Sequence, residues 1–195
     1  MIVRNLGEDQ AGSSAAEFAL VLPLLLLLLF GIIDAGRWLW VYNEAEKATQ
    51  MGARMAVVTT YVSSSIGDSY VGACSSALTQ GDVIPASCFS TITCTSTGCT
   101  GGTKNNAAFT AIVKRMKAFL PSLSESNVTV EYSPSGLGYA GSPVLPDVSP
   151  LVTVKIGTPT PLAFKPLTSF ALATVNMPAF TTTLSAEDLS GSQSN

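Results

Sequence analysis

Four cysteines carry the plainest chemistry in this chain: Cys74, Cys88, Cys94 and Cys99, spaced by 14, 6 and 5 residues. An even count inside a polar stretch rich in Ser, Thr and Gly suits disulfides formed in an oxidising compartment. Three pairings are open. Nearest neighbours close the smallest loops, which favours Cys74–Cys88 with Cys94–Cys99. A four-thiolate zinc site would use paired C-x-x-C knuckles, and these spacings do not form them, so no metal is expected. A second reactive position is Glu17, five residues after Gly12 at the lip of an apolar run. A carboxylate there is costly unless it meets a cation or stays at an interface. Histidine is absent, which removes Ser-His-Asp and Cys-His catalysis and His-ligated zinc. No G-x-S-x-G, H-E-x-x-H, P-loop or G-x-G-x-x-G motif stands in the chain. The carboxylates Asp68, Asp82, Glu125, Glu131, Asp147, Glu187 and Asp188 are scattered, with no spacing that argues for a dyad. No catalytic residue, cofactor or small-molecule substrate is expected.

Composition narrows the setting. The 195 residues include 13 acidic and 10 basic side chains, for a net charge of −3. Charged residues make up 12% and apolar ones 47%. A soluble domain usually carries about a quarter charged residues, so the balance points to a membrane or exported context. The densest basic cluster is Lys114-Arg115-Met116-Lys117, too little for a nucleic-acid footprint. The length allows one modest domain and an accessory segment.

Phe18 to Ile33 reads FALVLPLLLLLLFGII, without a charge. As a helix it would span roughly 24 Å, and a hydrocarbon core is about 30 Å thick. Ser13 to Ala16 and Ala35-Gly36 supply the missing length if they continue the helix. Pro23 and Gly31 are tolerated in a membrane helix, Pro23 at the loss of one backbone hydrogen bond. Three uses of such a segment compete. A cleaved signal peptide would have only Arg4 as its basic region and a poor small-x-small site. An ordinary single-pass anchor needs nothing more than the run itself. The third depends on Glu17.

The string Gly12-Ser13-Ser14-Ala15-Ala16-Glu17-Phe18, followed by the apolar run, resembles the processing motif of type IV pilins. Adding Asp34-Ala35-Gly36-Arg37 and Gly52-Ala53-Arg54-Met55-Ala56, residues 11–56 are similar to the TadE-like pseudopilins of the tight-adherence (Tad) pilus system. The resemblance implies a leader peptide, 1–12, removed by a prepilin peptidase between Gly12 and Ser13. It implies that Glu17, with Phe18 beside it, sets subunit register by neutralising the new Ser13 amine of a neighbour inside lipid. It further implies other pilins or pseudopilins of the Tad system, and the lipid bilayer, as partners. The leader carries Glu8 and Asp9 beside Arg4, where pilin leaders are usually net basic. Basic residues flanking the span, Arg4 before it and Arg37 and Lys47 after it, do not argue for an inward N-terminus. The cysteine-bearing region does, because disulfides place it outside the cytoplasm.

The expected organisation follows: a transmembrane helix over 13–36, its continuation over 37–58, an α+β head over 59–186 and a polar tail over 187–195. In the continuation Trp38, Val41, Ala45, Ala48, Met51, Met55 and Val58 form one apolar stripe, read as core packing. Trp38, Trp40 and Tyr42 suit an aromatic belt or the core. The cysteines define a loop-rich stretch over 74–99. Asn105–Leu120 is an amphipathic helix with Phe109, Ile112, Val113, Met116, Phe119 and Leu120 inward and Lys114, Arg115 and Lys117 outward. An Asn caps it and Pro121 stops it. Strands are expected at 127–132, 151–156 and 180–185, forming a small antiparallel sheet. The Asn127-Val128-Thr129 sequon reads as strand rather than glycan site. The connection Ser133–Pro150 is long for a structureless loop and suggests a contact role. Leu162, Phe164, Leu167 and Phe170 read as core or as a clasp. The function expected is a minor pseudopilin, anchored in a bacterial inner membrane with a periplasmic head, contributing to a surface pilus used in adhesion. The alternative is a membrane-anchored periplasmic domain without processing.

Overall fold

Ala11–Val58 forms one 48-residue helix, α1. Leu and Ala dominate its first part and Ala, Met, Glu, Lys and Gln its second, all good helix formers. It continues through Pro23, which leaves the Ala19 carbonyl without its usual donor. The computed structural model describes residues 11–74, 77–143, 146–168, 173–186 and 189, without the side chains of 11–13. Arg4, Glu8, Asp9, Phe170, Glu187 and Asp188 lie outside these residues.

Packing divides the chain into two units. The first holds the helix up to Trp40 together with Phe164–Val175. Its apolar side chains are exposed all round the helix, from Phe18 to Ile33, with Leu20 80% exposed. A helix apolar on every side has no water-facing stripe and belongs in a protein interior or in lipid. Among the described residues one helix, spanning Ser14–Val58, is long and apolar enough to cross a membrane.

The second unit, Val41–Ala163 with Asn176–Asn195, is the α+β head. Its main sheet has the order β1-β2-β3-β6, from β1 (Ile92–Cys94), β2 (Val128–Ser133), β3 (Leu151–Ile156) and β6 (Phe180–Ser185), every pair antiparallel. The short β4 (Ala163–Phe164) and β5 (Val175–Asn176) pair separately. Register aligns Ile92, Tyr132, Val152 and Leu184 across the main sheet, then Cys94, Val130, Val154 and Thr182. Alternation puts these residues on one face. That face is buried from β1 through β3 and opens at β6, where Leu184 is exposed. The opposite face is polar and bonded across strands: Thr153 to Thr183 at 2.8 Å, Lys155 to Glu131 at 2.8 Å. Burying hydroxyls there is tolerable because each finds a partner.

The second helix, α2 (Asn106–Lys117), is capped by Asn105, whose side chain accepts from the Ala108 N–H. Ala108, Phe109, Ile112, Val113 and Met116 are buried, while Lys114 and Lys117 are exposed as the amphipathic pattern requires. Two positions depart from that pattern. Phe119 lies past the helix end and is half-buried, and Arg115 is half-buried with its Nε unpartnered among the described residues. The buried seam of α1 in the head runs through Ala45, Ala48, Gly52, Met55 and Ala56, whereas Val41, Met51 and Val58 are half-exposed. Glycine holds position 52 because α2 comes close there: a Cβ on Gly52 would meet the Met116 Cγ and Sδ at 2.7 Å.

Candidate functional site

Gly12 and Ser13 are helical, within the described span of α1. Glu17 stands one turn beyond Ser13. It is exposed, as is Phe18, and among the described residues nothing hydrogen-bonds or ion-pairs with it. A carboxylate at the lip of an apolar run is costly in lipid unless it is paired or stays at the interface.

The other end of the apolar run is arranged differently. Asp34 directly follows Ile33 and is buried. Its Oδ1 accepts from the Leu167 N–H at 2.7 Å and the Arg37 guanidinium at 3.0 Å. Its Oδ2 accepts from the Thr168 N–H at 3.1 Å and the Thr168 hydroxyl at 2.9 Å. Arg37 also lies over the Phe164 ring, 5.4 Å from its centroid. The strap that begins at Phe164 is thus clasped to the helix through one carboxylate. From sequence, Asp34 contributed only to a resemblance and had no role. The recognisable sign was an acid placed directly after an uncharged run, which demands a partner.

Both ends of this arrangement, together with Gly52, fall within one matched stretch. Residues 12–54 match the family model described as TadE-like protein. The TadE-like stretch therefore takes in Glu17, the Asp34–Arg37 exit and the Gly52 seam, and ends while α1 is still packed in the head. No curated protein and no solved structure matches the chain.

Outside the TadE-like stretch, the head holds its cysteines in two pairs, Cys74–Cys88 at 2.12 Å and Cys94–Cys99 at 1.96 Å between sulfurs. The aromatic residues after the run separate. Trp40 is 68% exposed, whereas Tyr42 packs edge-on against Phe180 at 4.9 Å within the head. Asn127 is not a strand residue; it closes the short Glu125–Asn127 turn. Its Nδ2 donates to the Thr160 and Pro161 carbonyls, and its Oδ1 accepts from the Ser124 N–H. That leaves the amide structural.

The 133–150 connection is ordered by its own carboxylate. Asp147 accepts from the N–H groups of Tyr70 (2.7 Å), Gly141 (2.8 Å) and Ser142 (2.7 Å) and from the Ser69 hydroxyl (3.5 Å). Burial would raise its pKa, but these donors hold it below the usual carboxylate range. Two isolated bridges add to this, Gly138 with Val148 and Tyr139 with Val83, so its described residues are held in place. Two further described head carboxylates also have partners. Asp82 accepts from the Thr79 hydroxyl and N–H, and Glu131 pairs with Lys155. Among the described residues no group of three potential metal ligands gathers.

Proposed function

We propose that this protein is a minor pseudopilin of the Tad pilus apparatus. The TadE-like match supports the association with that system, and the all-round apolar helix supports a single-pass membrane anchor. The observation that carries the finer reading is the unpartnered Glu17, one helical turn after Ser13 at the start of that helix. A prepilin peptidase cuts between Gly12 and Ser13 and creates an α-amine. In a bundle of subunits the Glu17 of one copy meets the Ser13 amine of the next, so each charge in lipid has an opposite partner. The N-terminus begins in the cytoplasm and the head lies in the periplasm, where Cys74–Cys88 and Cys94–Cys99 stay oxidised. The other pilins and pseudopilins of the system are its partners, and its contribution is to the building of an adhesive surface fibre.

The test is the mature N-terminus, read by intact mass and peptide mapping of protein taken from native membranes. A start at Ser13 is expected. A start at Met1 would leave a plain membrane-anchored domain, and a start beyond Ile33 would mean a secreted one.

A further inference from the structure

Asp34 stands one residue past the last uncharged residue of the apolar run. A helix rises about 1.5 Å per residue, so a backbone hydrogen-bonded to Asp34 is held at the depth where α1 leaves the hydrocarbon. Two successive strap residues are held that way, through the Leu167 and Thr168 N–H groups at 2.7 and 3.1 Å. The strap alternates. Phe164, Pro166 and Thr168 are buried, and Lys165 and Leu167 face outward, Leu167 being 54% exposed. Arg37 is fixed at the same level by Asp34 and sits over Phe164. An outward leucine flanked by two cations, at the end of a membrane span, is the composition of a surface that sits among lipid headgroups.

We propose that the strap around Leu167 is a second, interfacial membrane contact, keyed in place by Asp34. Leu167 enters the acyl boundary, and Lys165 reaches the phosphates of the bilayer that α1 crosses. The buried carboxylate serves two ends. It fixes the depth of the strap, and its donors leave no bare charge at the hydrocarbon edge. The proposal rests on the membrane-spanning reading of α1, but not on processing at Gly12 or on assembly into a fibre.

The experiment uses the full chain in vesicles of phosphatidylethanolamine and phosphatidylglycerol that carry a nitroxide at a shallow or a deep acyl position. Leu167→Cys is labelled with an environment-sensitive fluorophore without reductant, so that the disulfides stay closed. Leu25→Cys, labelled likewise, reports the depth of the helix. The expected result at 167 is blue-shifted emission quenched more by the shallow nitroxide than by the deep one. Adding Asp34→Ala should abolish that quenching and leave the deep quenching at 25 intact. Water-like emission at 167 beside deep quenching at 25 would overturn the proposal and spare the spanning helix. Shallow quenching at 167 that survives Asp34→Ala would overturn the keying role. Loss of deep quenching at 25 in the unaltered background would remove the spanning reading, and this proposal with it.

Discussion

One Asp34 oxygen accepts both the backbone N–H and the hydroxyl of Thr168, a residue 134 positions further along the chain. That carboxylate is the fixed point between the end of the apolar run and the strap. Its removal should free the strap without unfolding the head, which has its own core. In Asp34→Ala the amides of Leu167 and Thr168 are expected to exchange with deuterium faster, while β2 and β3 amides keep their protection. Unchanged exchange at 167 and 168 would show that other contacts hold the strap.

Glu17 carries the assembly prediction. Glu17→Leu removes the one carboxylate in the first turns of the described apolar surface and leaves the Ser13 amine of a neighbour without its partner. The variant should fractionate with membranes as the parent does, yet fail to support pilus assembly. Normal piliation, counted by electron microscopy, would end the register role.

The Gly52 contact predicts an asymmetry between glycines of one helix. Any Cβ at Gly52 meets Met116, which is fully buried and has little room to move. Gly52→Leu should destabilise the head by about 2 kcal/mol, in the range of overpacked cores. Nothing lies within 4 Å of a Cβ on Gly36, so Gly36→Ala should be neutral or slightly stabilising. Chemical denaturation of the head would measure the Gly52 effect, and Gly36→Ala should leave that curve unchanged.

Tyr132 is fully buried, and its hydroxyl accepts the Val62 N–H at 3.0 Å. Burial pushes its pKa up to about 12, with the Val62 bond opposing. Tyr132→Phe leaves that buried N–H without an acceptor, at a cost of about 1–3 kcal/mol. The denaturation midpoint should fall with an unchanged slope. A midpoint equal to the parent's would mean that the N–H finds another partner.

Acid should destabilise the head in part through Asp147. Its folded pKa is lowered, so the native head holds that proton less readily than the unfolded chain does. The stability it contributes is present above the unfolded value of about 3.9 and is lost as pH falls through the lower folded value. Asp82, lowered by its Thr79 hydroxyl and N–H bonds despite some desolvation, works in the same direction. Asp147→Asn should lower stability at neutral pH and flatten the acid limb of the stability curve. An acid limb as steep as the parent's would assign the titration to other groups.

Local pattern settled much of this protein. An uninterrupted apolar run, the helix-forming residues after it, a three- and four-residue periodicity over Phe109–Met116 and strict alternation in 151–156 each mark one element, and such patterns are written in neighbouring residues. Gly12, Glu17 and Phe18 at the head of the run resembled a known motif through local spacing alone. What sequence left open were relationships between distant segments. Three cysteine pairings were open, with loop size alone favouring the one the structure has, Cys74–Cys88 with Cys94–Cys99, and β1, three residues in a Thr- and Cys-rich stretch, had too little length to show a period. The Asp147 hub, the Val62–Tyr132 bond, the Gly52–Met116 contact and the Asp34 clasp depend on which backbones meet after folding. Only the tertiary structure decided those, because a buried donor or acceptor must be satisfied by whatever arrives beside it, and nothing in its own neighbourhood of the chain says what that will be.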